Sequence, residues 1–408
     1  PRMFSVVAII PIMLTGKKFF NARVAIMASL LFIFSIFQIR FAHEVRVYSF
    51  FSLFTAWSLY FFLSVLQRPS SLKLWGVLVL CNVVLMYSHF TSFYVLLTEF
   101  VCGILFVPKV RWKFLFGSLA LSGLFFLPYA LVFITRLNDV AGSGTWVSPP
   151  GLGELYGIVN LLLNQRITTL AVIVTVGLGF VLSREISVLE KMKEMFGQQK
   201  ILAVFLWFAL PYFLMFACSI LYVPMFIDRY ILYTSIPLFL SVALVADQAW
   251  KNSPLPLLGV LLIGFGSIAT TNLNPSNNRE IGAAVDFVKE LKTESSQVYL
   301  SPDHYNLVFA FHYNRMLFNE MAMYKGDSFL ELNEHLVSNG IYPMRDSQQL
   351  DLVQKKRIIY LDADSRFVFP ENHILETLED ELSLTKTTRF ERIFDVYVFD
   401  QFPDKRAT

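Results

Sequence analysis

The sequence has little charge and very little cysteine. Charged residues fill 16% of its 408 positions, against 55% hydrophobic, and the mean hydropathy is +0.54. That balance excludes an ordinary soluble globular chain and points to a polytopic membrane protein. The three cysteines, Cys81, Cys102 and Cys218, all lie inside apolar segments. They form neither a disulfide framework nor a CxxC metal spacing, and read as small apolar core residues. The tail histidines His304, His312, His335 and His373 lack ligand-like spacing, so no metal is expected. There is no GxGxxG, no P-loop and no internal repeat, and no cofactor is expected. Pro1–Gly16 is shorter than the ~20 residues of a full span. It also lacks the charged flank and small-residue cleavage site of a signal peptide. It reads as the remainder of a helix, with more protein expected upstream.

Long apolar runs are what the chain does have. They fall at about 3–15, 22–38, 47–66, 73–88, 90–107, 114–135, 167–183, 201–222, 230–247 and 254–271. All ten are expected to be membrane-spanning helices, because lipid offers the backbone no hydrogen-bond partner. The 73–107 stretch is too long for one helix, and a tight turn at His89-Phe90-Thr91-Ser92 is expected to split it.

Charge is unevenly spread. Residues 1–278 carry 19 Lys+Arg and 9 Asp+Glu (net +10), and residues 279–408 carry 15 and 22 (net −7), which sum to the +3 of the whole chain. A basic membrane part with an acidic tail argues against nucleic acid as a partner. Thirteen of the 19 cations fall in the loops at 16–23, 67–73, 108–113, 184–200 and 248–253. The other six, Arg2, Arg40, Arg46, Arg136, Arg166 and Arg229, fall on the opposite side. The positive-inside bias makes the first side cytoplasmic. His43–Tyr48, His89, a long loop at 136–166, Asp228–Tyr230 and the tail then share the outer side. In that loop Trp146 and Tyr156 suit interfacial anchors.

The polar stretch Thr270–Asn278 reads as a linker. Two domains are therefore expected: a transmembrane domain over 1–273 and an extracytoplasmic α/β domain over 274–408. In the tail, Ile281–Lys292 has helical apolar spacing. Gln297–Ser301, Arg357–Ala363 and Val396–Phe402 are β-rich. Ser328–Val337 and Glu371–Leu382 look helical, so a small α/β layer is expected.

Charged residues at the rim of a bilayer are costly unless used or paired. His43-Glu44-Val45-Arg46-Val47-Tyr48 lies between two apolar runs, and Asp228-Arg229-Tyr230 repeats the arrangement. The first could instead be an interfacial ion pair between Glu44 and Arg46 with snorkelling side chains. Arg229 could pair with Asp228, and His89 could be a helix cap. Glu99, inside an apolar run, either lines a groove or hydrogen-bonds a neighbouring helix.

Several of these segments resemble a known family. Arg40-Phe-Ala-His43-Glu44-Val-Arg46-Val-Tyr48 resembles the glutamine-or-histidine, acidic, x, Arg, x, Tyr signature of polytopic lipid-linked-sugar glycosyltransferases. Tyr87-Ser88-His89-Phe90 resembles their Tyr-x-His-aromatic element, and Phe226-Ile227-Asp228-Arg229-Tyr230 with Pro237 their Arg-Tyr…Pro element. Arg279-Glu280…Asp286-Phe287 resembles the start of their outer domain. Together, over residues 2 to 400, the chain resembles the GT-C clan, in the branch of protein O-mannosyltransferases and the lipid A aminoarabinose transferase. The resemblance implies a multi-pass protein of the cytoplasmic membrane and a polyprenyl-phosphate-sugar donor. It also implies a lipid, glycan or protein acceptor. The family's catalytic carboxylate sits in a first outer loop after a first helix, and this chain begins at what resembles the second helix. That base is therefore expected upstream of Pro1, with Glu44 a weak substitute.

With such a donor the leaving group is already a phosphodiester anion. It needs positive charge more than a proton. Arginine is always charged and can hold two phosphate oxygens, which makes Arg229 and Arg46 the candidates. Tyr48, Tyr230, His43 and His89 would hydrogen-bond phosphate or sugar. Attack opposite the phosphate would invert the anomeric centre, and no metal is demanded. The α/β tail is expected to cover the site or help choose the acceptor. The rival readings are a lipid-linked-sugar transporter or flippase, which should show broken helices, and a non-catalytic membrane sensor.

Overall fold

The computed structural model describes residues 1–143, 147–182, 188–251, 253–271, 281–321, 328–350, 357–390 and 393–401. Trp146, the linker from 272 onward and the Arg279-Glu280 pair lie outside these. Two compact units emerge, Pro1–Pro275 and Ser276–Thr408.

The first unit is helical throughout. It begins with α1 (Arg2–Phe19), α2 (Ala22–Ile33), α3 (Ile36–His43), α4 (Tyr48–Gln67), α5 (Leu72–Ser88) and α6 (Ser92–Phe106). It continues with α7 (Trp112–Ser143), α8 (Leu152–Leu162), α9 (Arg166–Leu182), α10 (Val188–Gly197) and α11 (Gln199–Leu221). It closes with the short α12 (Asp228–Ile231), α13 (Ser235–Ala249) and α14 (Leu255–Thr270). Each of the ten apolar runs is thus helical, and α5 and α6 part at His89-Phe90-Thr91 as the sequence suggests. The span count differs from ten. Among the described residues four helices are long and apolar enough to cross a membrane, and six if each of two bent pairs is one span. Helix α1 has the length, with 18 residues, but carries Arg2, Lys17 and Lys18; the other three fall short in length. Helices α5, α6 and α14 have 17, 15 and 16 residues. At 1.5 Å per residue they reach about 22–26 Å of a hydrocarbon core of about 30 Å.

The long loop expected at 136–166 is also mostly helix. Helix α7 runs on to Ser143 and α8 starts at Leu152. No proline interrupts the chain between Pro128 and Pro149, so the α7 backbone hydrogen bonds propagate past the apolar run.

The bent pairs are α2 with α3, at 54°, and α8 with α9, at 79°. Both breaks have a local cause. Ser35 accepts a hydrogen bond from the Gln38 N–H through its side chain, so α3 starts afresh with its own cap. Asn164 takes a left-handed conformation (φ 78°) that asparagine tolerates better than most residues. The two breaks then meet. Asn164 Oδ1 accepts from the Ile36 N–H at 2.9 Å, and its Nδ2 donates to the Phe34 carbonyl at 2.9 Å. One side chain thereby satisfies two backbone groups that the break in the helix had orphaned.

Opposite helix ends also gather by sequence group. Arg23 Nε lies 3.4 Å from Asp247, Asn21 donates to the same carboxylate, and Lys18 donates to Ser64. The ends of α1, α4 and α13 and the start of α2 therefore share one rim.

In the second unit, α15 (Ile281–Leu291) precedes β1 (Ser296–Ser301). Then come α16 (Asn306–Tyr313), α17 (Arg315–Met321), α18 (Ser328–Ser338) and β2 (Ile341–Pro343). After β3 (Arg357–Asp362) follow α19 (Ser365–Val368), α20 (Ile374–Glu381), β4 (Ser383–Phe390) and β5 (Phe394–Asp400). The sheet order is β2-β1-β3-β5-β4, parallel across β2-β1-β3 and antiparallel beyond. Strands β1 and β3 are covered on both faces, Leu300 and Ile359 on one and Tyr299 and Tyr360 on the other. That explains their nearly unbroken apolar runs. Strand β4 escaped the sequence reading because it is an exposed edge. Lys386, Arg389 and a bulge at Leu384/Lys386 guard it against further pairing.

Candidate functional site

At one rim of the helical unit, three segments far apart in sequence converge. Tyr48 opens α4, His89 and Phe90 form the turn after α5, and Arg229 and Tyr230 lie in α12. Ring centroids of Tyr48 and His89 are 5.8 Å apart, those of His89 and Tyr230 5.2 Å, and those of Tyr48 and Tyr230 6.3 Å. Phe90 stacks on His89 at 4.6 Å and meets Tyr230 edge-on at 5.1 Å. The Arg229 guanidinium stands 5.5 Å from the Tyr230 ring, a cation–π separation. These contacts build a small aromatic box with one arginine at its wall.

Why the chain folds this way is visible locally. Helices α4, α5 and α6 pack against one another, while Asp228 accepts from the Arg229 N–H at 2.6 Å and starts α12. Thus the Asp228 carboxylate serves its own helix N-terminus, where an anion is favoured. Thr91 N–H donates to His89 Nδ1 at 3.3 Å, and Thr91 Oγ1 lies 2.7 Å from the same nitrogen. A ring nitrogen that accepts from a backbone N–H carries no hydrogen, so the proton of the neutral ring sits on Nε2.

His89 lies in the turn, outside either helix. Burial, and then the Arg229 charge, push its imidazole down to about 4 from the ordinary 6.5. It is neutral at physiological pH and acts as a hydrogen-bonding group rather than a cation. Between pH 6.5 and 4 the unfolded chain binds a proton that the folded chain refuses. This site therefore destabilises the fold as pH falls through that window. Melting curves of His89→Gln recorded from pH 7 to pH 4 are expected to lose this part of the acid slope.

Arg46 is exposed, and Glu44 is half-buried at the end of α3. The Glu44–Arg46 ion pair that the sequence allowed does not form within 4 Å among the described residues. Instead the Arg46 N–H donates to the Glu44 carbonyl at 2.8 Å, which turns the chain sharply into α4. His43, the last residue of α3, is half-buried and takes no part in the ring contacts among the described residues.

Sequence reasoning missed the floor of this site. Phe51 packs on His89 at 5.6 Å and on Tyr233 at 5.0 Å. Tyr94 donates to Met225 Sδ. Spacing alone shows these as ordinary apolar-face residues. Glu99 resolves in favour of its bland reading: it hydrogen-bonds Ser58 and Asn82 on neighbouring helices. A separate, open apolar groove of about 650 Å³ runs between α2, α9, α13 and α14, lined by Phe34, Val172, Phe239 and Ile263 among others. None of the ring-cluster residues lines it, so this groove and the charged site are different places. Among the described residues no group of three His, Cys, Asp or Glu could hold a metal ion.

No protein-family model matches the sequence, and no curated protein does. Two solved structures overlap with most of the chain. One is ArnT from Cupriavidus metallidurans in the apo state, at 11% identity and TM-score 0.39, covering 97% of this chain and 82% of that one. The other is the Archaeoglobus fulgidus oligosaccharyltransferase in complex with Zn and sulfate, at 10% identity and TM-score 0.45, covering 97% of this chain and 60% of that one. At these values neither likeness says what this chain does.

Proposed function

We propose that this chain is part of a membrane glycosyltransferase that takes a sugar from a polyprenyl-phosphate carrier. The acceptor would be a lipid, glycan or protein on the outer face of the cytoplasmic membrane. The convergence of Tyr48, His89, Arg229 and Tyr230 at one rim carries this reading. A half-buried guanidinium beside three ring-bearing hydrogen-bond groups suits a phosphate next to a sugar. The arginine takes the anionic oxygens, the neutral His89 Nε2–H and the two phenols donate, and aromatic faces flank the sugar. The arrangement stabilises the charge that grows on phosphate as the anomeric bond breaks. Single-step displacement would invert the anomeric centre, without a metal. For the carboxylate base that must deprotonate the acceptor, Glu44 is a weak candidate.

The purified protein tests this without knowledge of the sugar. Polyprenyl phosphate is expected to raise its melting temperature, and the uncharged polyprenol of equal length is not. Equal shifts by both lipids would show that only the hydrocarbon is recognised and would end the phosphate reading.

One observation favours the transporter alternative. Two bent helix pairs provide the broken helices that the sequence did not reveal. In transporters the freed half-helix ends coordinate the cargo. Here Asn164 occupies the Ile36 N–H and the Phe34 carbonyl, so these two groups are not open to a cargo. The transferase reading is therefore kept.

A further inference from the structure

Three helices of the first unit meet at one buried polar knot. Glu99 on α6 is 1% exposed, and Ser58 on α4 and Asn82 on α5 are fully buried. Ser58 Oγ lies within hydrogen-bond distance of Glu99 Oε1 and 3.2 Å from Asn82 Oδ1. Asn82 Nδ2 lies 2.6 Å from Glu99 Oε2. Three contacts close a ring through three side chains.

Each contact needs one hydrogen between its two atoms. The Ser58 hydroxyl has one to give. The Asn82 amide gives one, since its nitrogen faces one contact and its carbonyl the other. An ionised carboxylate gives none. Two hydrogens cannot satisfy three contacts. Exchanging the oxygen and nitrogen of Asn82 does not help. The nitrogen then donates to Ser58, Ser58 donates to Glu99 Oε1, and the bare Asn82 carbonyl faces Glu99 Oε2. In either orientation one oxygen–oxygen contact is left without a hydrogen, and a proton on Glu99 completes the ring. No cation offers an alternative: among the described residues none forms an ion pair with Glu99. Its titratable neighbours are the thiols of Cys81 and Cys102.

We propose that Glu99 is a proton-binding residue held as a neutral carboxylic acid, and that the closed Ser58–Asn82–Glu99 ring is a positioning device locking α4, α5 and α6. The positioning half rests on the reading given under Proposed function. Helix α4 opens at Tyr48, α5 ends beside His89, and α6 opens beside Thr91, the His89 partner. Ser58 is ten residues from Tyr48, about 15 Å along the helix, and Asn82 is seven from His89, about 10 Å. A slip of α5 against α4 at the knot would carry His89 away from Tyr48.

Infrared difference spectra of wild type against Glu99→Gln at pH 7 test the proton. The wild type is expected to show the carbonyl band of a protonated carboxylic acid, shifted by isotope labelling of glutamate and lost in the variant. Glutamine mimics the protonated acid, one end donating and the other accepting. The Glu99→Gln protein should therefore melt with the wild type, whereas Glu99→Ala should melt roughly 5 °C lower. Absence of the band, or a glutamine variant as unstable as the alanine one, overturns the proposal. Wild-type affinity of folded Glu99→Ala for polyprenyl phosphate removes the positioning role. The infrared and melting results stand even if no protein binds that lipid, so failure of the site reading is distinguishable.

Discussion

Replacing Arg229 by alanine is expected to lower sugar transfer by about 10²- to 10³-fold, the usual loss when one preorganised donor to a developing anion is removed. Three features set the size. The guanidinium is half-buried, so bulk water does not screen it as it screens an exposed side chain. It stands on the ring of Tyr230, which in turn meets His89 and Tyr48, so it forms the wall of the aromatic box. Its stacking on Tyr230 at 5.5 Å limits the orientations it must give up when it binds phosphate. Lysine restores the charge but not the planar fork that holds two oxygens, so Arg229→Lys should recover only part of the rate. Arg46→Ala should cost far less, because Arg46 is exposed and acts through solvent. Initial rates with polyprenyl-phosphate-linked sugars, measured on membranes carrying the protein, give the comparison. Matching melting curves for the variants keep a folding defect apart from a chemical one. Near-normal transfer by Arg229→Ala would remove this residue from the site.

The parts of this molecule that were legible in the sequence are those that depend on neighbours along the chain. The apolar runs marked every long helix of the first unit, since a run with few charges has one way to satisfy its backbone in lipid. His89 marked the turn between α5 and α6. What was not legible depends on partners distant in sequence. The kink between α2 and α3 is half visible: Ser35 followed three residues later by Gln38 is a helix-start pattern, buried in an otherwise continuous apolar run. Its other half, Asn164, lies 128 residues from Ile36, and nothing local announces the pairing. Ser58 and Asn82 look like tolerated polar residues until α6 brings Glu99 between them. In the tail, edge strand β4 has no buried face to impose alternation, and β2 is only three residues long. At the site, the positions of Tyr48, His89, Arg229 and Tyr230 were marked by charge at helix ends. Their mutual distances come from the packing of α4, α5 and α12, which no spacing rule supplies.

Two glycines should respond to the same substitution with opposite signs. Gly16, near the end of α1, packs against α2 so closely that a Cβ there would meet the Ala25 Cα at 2.4 Å and its backbone nitrogen at 2.7 Å. Both obstacles are backbone, so no side-chain rotation relieves them, and α1 must move off α2. Small residues are what permit such close approach between membrane helices. Overpacking of this kind typically costs about 1–3 kcal/mol, and valine adds two more methyl groups to the clash. Gly76, inside α5, would place its Cβ in open space. There alanine removes only the backbone freedom of glycine, worth about 1 kcal/mol in favour of the helix. Gly16→Ala is therefore expected to melt several degrees below the parent and Gly16→Val lower still, while Gly76→Ala melts at or above it. The contrast isolates the cause, because helix propensity alone makes both alanines stabilising. Should Gly16→Ala prove as stable as Gly76→Ala, the α1–α2 contact is looser than described. The register that places Lys18 against Ser64 of α4 would then have to be revised with it.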